Sequence, residues 1–253
     1  MNSINFDDFR TWPDALLNYL DQNVELARKL NSVSLIYKAP KLLKFPEQFI
    51  PYLPLIEEVE RIIEDCTIQC FHCTRITDVE IADILSNGLQ LPTRQFLDKK
   101  IGALQFTESS TKQAMMNFIG AEEKRHELDD PCIYFCISPK LLCDASATHR
   151  FFRNWGGEIT YHQVEKNIRF RAALQTGKPA IIIGNLKPSS IMARQDLVTM
   201  VISRYLNRLD HANEPEVFEC WVRQLIAPDR IEAVVRFAEP IFACLTNFTE
   251  EAL

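Results

Sequence analysis

Three side chains that do chemistry stand in stretches otherwise apolar enough to be strands: His72 in TIQCFHCTR, Tyr134 in PCIYFCISP and Glu219 in VFECWV. An imidazole can donate, accept or carry a proton, a phenol offers a ring and a hydroxyl, and a carboxylate stabilises developing positive charge or takes a proton. Glu219 is the least expected of the three. Burying it ionised without a partner is costly, so this carboxylate is either paired or at work in a cleft. Tyr134 reads equally well as a buried tyrosine with no ligand.

A fourth candidate lies in HRFFRNWGGEITYHQ, residues 149–163. Two of the seven glycines are adjacent here, flanked by Phe151, Phe152, Trp155, Tyr161, His162 and the acid Glu158. Gly156-Gly157 permits backbone conformations or a close approach that residues with a Cβ resist. An aromatic wall with one carboxylate suits a ligand cleft, and a tight turn covered by aromatics is the alternative. Glu158 therefore competes with Glu219 for the role of working carboxylate.

The element that must position His72 is legible. If Thr67 to Arg75 is extended, Ile68, Cys70, His72 and Thr74 share one face and Phe71, Cys73 and Arg75 the other. The following T-D-V-E is a capping box between Thr77 and Glu80, and Val79, Ile81, Ala82, Ile84 and Leu85 supply a helical apolar stripe. Asn87-Gly88 ends that helix.

FHCTR, a helix and then NGL resembles the opening strand and helix of the ADP-ribosyltransferase superfamily, in its His-containing, diphtheria-toxin-like or PARP-like branch. Tyr134 and Glu219 follow in the order of that branch, and glutamate, short apolar strand, I-x-P and a further I-x-x-V strand is similar to its catalytic-glutamate strand and turn. The resemblance covers roughly residues 66 to 240. It implies an α+β fold, an ADP-ribosyltransferase-like split antiparallel sheet, with residues 66–253 as the catalytic domain. It also implies NAD as substrate, held by His72, Cys73, Thr74, Arg75, Tyr134 and Trp155. Attack at C1′ of the nicotinamide ribose would be assisted by Glu219, or by Glu158, with no metal.

The position two before Glu219 is Val217, where arginine-modifying members carry an acid or amide. The implied function is mono-ADP-ribosylation of another macromolecule, RNA, DNA or protein. Intracellular bacterial relatives are often toxins of toxin–antitoxin or phage-defence systems, so an antitoxin or chaperone is an expected partner. NAD hydrolysis with water as acceptor is the alternative enzyme, and a catalytically inactive binding module of the same fold is the non-enzymatic one. Cysteine-hydrolase chemistry is a weaker rival, because Cys73 adjoins His72 in sequence but lies on the opposite strand face.

A chain of 253 residues with 47% hydrophobic content is long enough for a sizeable core. No apolar run reaches membrane-spanning length and the start MNSINFDDFR is unlike a signal peptide, so a cytoplasmic protein with no membrane partner is expected. The net charge of −6 argues against nucleic-acid binding through bulk charge. A local basic groove stays open, from Arg150, Arg153, Arg169 and Arg171 or from Tyr37-Lys38, Lys41 and Lys44-Phe45. Of the eight cysteines Cys66, Cys70 and Cys73 cluster beside His72, and Cys70 and Cys73 have C-x-x-C spacing, but strand parity sends Cys73 to the opposite face, so buried reduced thiols are expected rather than zinc ligands.

Residues 1–65 read as a mainly helical N-terminal segment, a cap or a docking surface for a partner. One helix opens at Pro13 and ends near Asn31-Ser32, and another, PLIEEVERIIED, buries Leu55, Ile56, Val59, Ile62 and Ile63. Residues 92–108 read as irregular. A helix starts at the capping box of Ser110 and Gln113 and ends in the charged run at 122–130. Lys178 opens a strand, and Gln195 to Leu209 is a helix with Leu197, Met200, Val201 and Leu206 inward.

Overall fold

The computed structural model describes residues 2–37, 47–104, 109–121, 131–146, 148–157, 170–193, 197–211 and 219–249. Its strands are β1 (Ser3–Ile4), β2 (Thr67–Ile76), β3 (Ile133–Cys136), β4 (Lys178–Leu186), β5 (Met192–Ala193), β6 (Glu219–Val222) and β7 (Ile231–Arg236). The α-helices are α1 (Asp14–Gln22), α2 (Val24–Tyr37), α3 (Leu53–Glu64), α4 (Asp78–Asn87), α5 (Arg94–Ala103), α6 (Ser109–Ala121), α7 (His149–Arg153), α8 (Arg171–Leu174), α9 (Leu197–Leu209) and α10 (Pro240–Thr246).

The sheet is open and, apart from β1, antiparallel, in the order β5-β6-β3-β2-β4-β7. Its centre is β2, whose Ile68 and Cys70 on one face and Phe71 and Cys73 on the other are all buried. A strand covered on both faces loses the polar alternation of a half-solvated one, which is why TIQCFHCTRI is so apolar. Along one edge β4 pairs with β2 over nine residues, from Ile68↔Leu186 to Ile76↔Lys178. The other edge is shared. β1 pairs in parallel with Thr67 and Ile68, and β3 meets β2 at one register pair, Phe71↔Cys136.

One face of the sheet carries Ile68, Cys70, Ile133, Phe135, Ile182, Cys220 and Val222, packed in one core with side chains of α1, α3, α4 and α9. Leu55, Ile56, Val59, Ile62 and Ile63 of α3 are all buried there, as their spacing requires. Each such side chain contributes roughly 1.5–3 kcal/mol of apolar transfer. Ile4, Phe6 and Trp12 enter the same core, so residues of the first 65 are continuous with the sheet's packing. Asp7 of that segment ion-pairs with Arg204 of α9 at 2.6 Å and accepts from the Ser138 hydroxyl at 2.6 Å. The opposite face buries Phe71, Cys73, Ile181, Ile183 and Val235 against Leu142, Phe152, Phe242 and Phe248.

Several sequence expectations change. Arg94–Ala103, read as irregular, is α5: Thr93 caps it by accepting from the Phe96 amide at 3.2 Å, and Leu97 and Ile101 form its buried stripe. The mixed charges and Gly102 masked so short a stripe. The first helix is two, broken at Asn23, and the second runs past Asn31 and Ser32 to Tyr37. In α4, Ile81 and Ile84 are buried, whereas Val79 is 80% and Leu85 50% exposed. Cys143 and Cys244 are exposed, in contrast to the buried Cys66, Cys70, Cys73 and Cys220. Among the described residues no helix is long and apolar enough to cross a membrane.

The capping box at Thr77 does more than start α4. Glu80 accepts from the Thr77 amide at 2.8 Å, from the Lys100 ammonium of α5 at 2.8 Å and from the Trp155 indole at 3.1 Å, so one carboxylate joins three segments. Burial pushes its pKa up, but Lys100 and the N–H donors outweigh that and hold it below the ordinary carboxylate range. A carboxyl whose folded value is depressed stabilises the fold above its unfolded value, and that contribution is lost as pH falls through the folded one. Glu80→Gln should therefore lower stability at pH 7 by about 2 kcal/mol. Urea midpoints of wild type and variant should converge on acidification.

Candidate functional site

Beyond Phe71 the sheet splits. From His72 onward the β3-side edge of β2 pairs with no strand among the described residues. The His72 ring spans the start of this gap, with Nδ1 2.8 Å from the Tyr134 carbonyl oxygen and its centroid 5.7 Å from that of Phe135. A carbonyl only accepts, so Nδ1 carries the proton. Burial pushes the His72 pKa below its ordinary value, against the opposing pull of the Tyr134 carbonyl. The ring is thus neutral at pH 7, and Nε2 presents an acceptor lone pair to a hydroxyl donor.

Two measurements check this. Nitrogen-detected NMR should give the Nδ1–H tautomer with a titration midpoint below 6.5, the ordinary imidazole value. Since the folded value is depressed, His72 adds stability above the unfolded value, and that stability is lost as pH falls through the folded one. His72→Phe should flatten that part of the stability profile.

Across the gap, β3 and β6 pair in the register Tyr134↔Trp221 and Cys136↔Glu219. Directly opposed residues of antiparallel strands point to the same side, so Tyr134, Cys136, Glu219 and Trp221 share a face with Phe71. Tyr134 is 37% exposed, and its ring centroid lies 6.1 Å from that of Trp221 at an interplanar angle of 44°. Glu219 and Trp221 are half-buried, and among the described residues neither Tyr134 nor Trp221 belongs to an apolar core cluster. Among the described residues no hydrogen bond or ion pair claims the Glu219 carboxylate.

The remaining candidates divide. Thr74 is buried on the His72 side of β2. Gly156 and Gly157 have φ of 87° and 59°, and a Cβ on Gly157 would lie 3.8 Å from Thr74 Oγ1 and 4.0 Å from the Cys73 carbonyl oxygen. The glycine turn thus runs against the open edge of β2. Arg75 donates to the carbonyls of Phe152 at 3.2 Å, Gln175 at 3.0 Å and Thr176 at 3.3 Å, holding the approach to that turn.

Trp155 is 2% exposed, packed with Leu97, Ile101, Met115, Phe170 and Leu174. Bonded to Glu80, it anchors the glycine turn rather than standing beside Tyr134. Cys73 is buried beside Cys136, and that contact with burial pushes its thiol well above the ordinary value. Such a thiol is a poor nucleophile. Glu158, Tyr161, His162, Arg169 and Val217 lie outside the described residues, as do Lys38, Lys41 and Lys44.

Sequence reasoning passed over Trp221 as a site residue. Its signal was present, two residues beyond Glu219 and therefore on the same face of β6. Glu80 was seen only as a cap, because neither Lys100 nor Trp155 is near it in sequence. Compared with known proteins, the chain matches no family model, no curated protein and no solved structure.

Proposed function

We propose that the protein is an NAD-dependent mono-ADP-ribosyltransferase acting on a macromolecule, and that its sheet is the split sheet of that superfamily. The observation that carries this is the adjacency of three strands, β2, β3 and β6, with His72 entering the gap where β2 and β3 part from the face opposite that of Tyr134 and Glu219. The groups suit the nicotinamide-ribose end of NAD. Nε2 of His72 accepts from a ribose hydroxyl, the half-exposed Tyr134 ring receives the flat nicotinamide, and the Glu219 carboxylate, unpaired among the described residues, faces positive charge.

In the reaction the C1′–N bond to nicotinamide breaks, its electron pair leaving with nicotinamide, and an acceptor lone pair forms the new bond to C1′. Glu219 stabilises the positive charge that builds as the old bond lengthens ahead of the new one. It also takes the acceptor's proton and releases it to water. His72 fixes the ribose, and its neutral state avoids placing a second cation beside that charge.

NAD labelled in its adenosine half, incubated with the protein and with separated cellular RNA, DNA or protein, tests this assignment. Label should enter one fraction and stay bound through denaturation. Free ADP-ribose in every mixture would make the protein a hydrolase instead, and unconsumed NAD would overturn the enzyme assignment.

A further inference from the structure

Resting on the transferase assignment above, we infer that Trp221 is the acceptor platform and that the acceptor is an unpaired nucleobase of a single-stranded nucleic acid. Tyr134 and Trp221 occupy one register position on neighbouring strands, on the face that carries Glu219. Their planes are inclined at 44°, so a single flat group cannot lie on both. The pair offers two facets for two planar groups. Tyr134, whose carbonyl holds His72, serves the nicotinamide end. Trp221 belongs to the strand of Glu219, two residues or about 6.6 Å along it, where an acceptor must enter to give its proton to that carboxylate.

A half-exposed indole outside the apolar clusters of the described residues is a surface on which a base stacks, and such stacking tolerates any base. Side chains of protein acceptors seldom present a flat ring beside the attacking atom, whereas a base nitrogen is part of one. A base within a duplex has both faces covered, so the acceptor is unpaired or turned out of its stack. The net charge of −6 fits recognition of one base better than tracking of a phosphate backbone. An N–H nitrogen of the base would bond to C1′ as nicotinamide departs, its proton passing to Glu219.

The chain carries its own reporter. Trp12 and Trp155 are 3% and 2% exposed, which leaves Trp221 as the tryptophan open to solvent. Single-stranded DNA and RNA oligonucleotides should quench the iodide-accessible part of the emission of the wild-type protein and shield it from iodide, and matched duplexes should do neither. Labelled oligonucleotides followed by anisotropy should bind Trp221→Leu at least about tenfold more weakly, and Trp221→Phe within about threefold of wild type. Whichever of DNA or RNA binds tighter is the source of the base.

NAD consumption with no quenching by either oligonucleotide would overturn the nucleobase inference and leave the transferase assignment standing. Equal binding by Trp221→Leu would also overturn it. Failure to consume NAD, with or without oligonucleotide, would overturn the inference together with the assignment on which it rests.

Discussion

On the proposed transferase mechanism, replacing Glu219 with glutamine should lower the turnover of ADP-ribose transfer by about three orders of magnitude, close to 4 kcal/mol of transition-state stabilisation. The substitution keeps the shape of the side chain and removes its charge. Since Glu219 is half-buried and no described residue bonds to it, the fold loses nothing with that charge, and the melting temperature should match wild type. The loss belongs in kcat rather than in KM, because the cation the carboxylate stabilises develops only during the reaction. A variant with unchanged kcat would remove Glu219 from the chemistry.

Gly88→Ala should lower stability strongly. Gly88 ends α4 at φ 80°, and an added Cβ would lie 2.1 Å from the Ile226 carbonyl oxygen. That carbonyl is not free to move. Leu89 and Ile226 exchange both backbone hydrogen bonds, at 2.9 and 3.0 Å, which ties the end of α4 to the chain leaving β6. Positive φ costs a residue with a Cβ roughly 1 kcal/mol, and relief of the overlap about 1–3 kcal/mol more. A fall of about 8 °C in the melting temperature is expected for a chain of this length. Calorimetry of the two proteins reads it directly.

Much of the local structure was legible because periodicity and caps act over a few residues. The alternation of Ile68, Cys70, Phe71 and Cys73 marks β2, and Thr77 with Glu80 fixes the start of α4. Strand order was not legible in the same way. Period two says which face a residue takes but not which strand lies beside it. Thus β6 and β7, consecutive in sequence, sit far apart in the sheet, β6 against β3 and β5 and β7 against β4.

The site was legible in part for a related reason. His72, Tyr134 and Glu219 each stand out as polar groups in apolar strands, so their types give them away. Trp155 and Trp221 do not separate by type. An indole is as much at home in a core as in a cleft, and only the burial of the first at 2% and the half-exposure of the second distinguish them. The glycine turn against Thr74 and the Glu80 hub depend on contacts between distant segments, which no local pattern records.

Release of nicotinamide from NAD by the purified protein, alone and in the presence of single-stranded RNA or DNA, tests the central claim most directly. Wild type should release nicotinamide in proportion to nucleic acid modified, and Glu219→Gln should release it about a thousandfold more slowly. Wild-type protein that leaves NAD intact in every mixture would contradict the account, and so would a Glu219→Gln variant as fast as wild type.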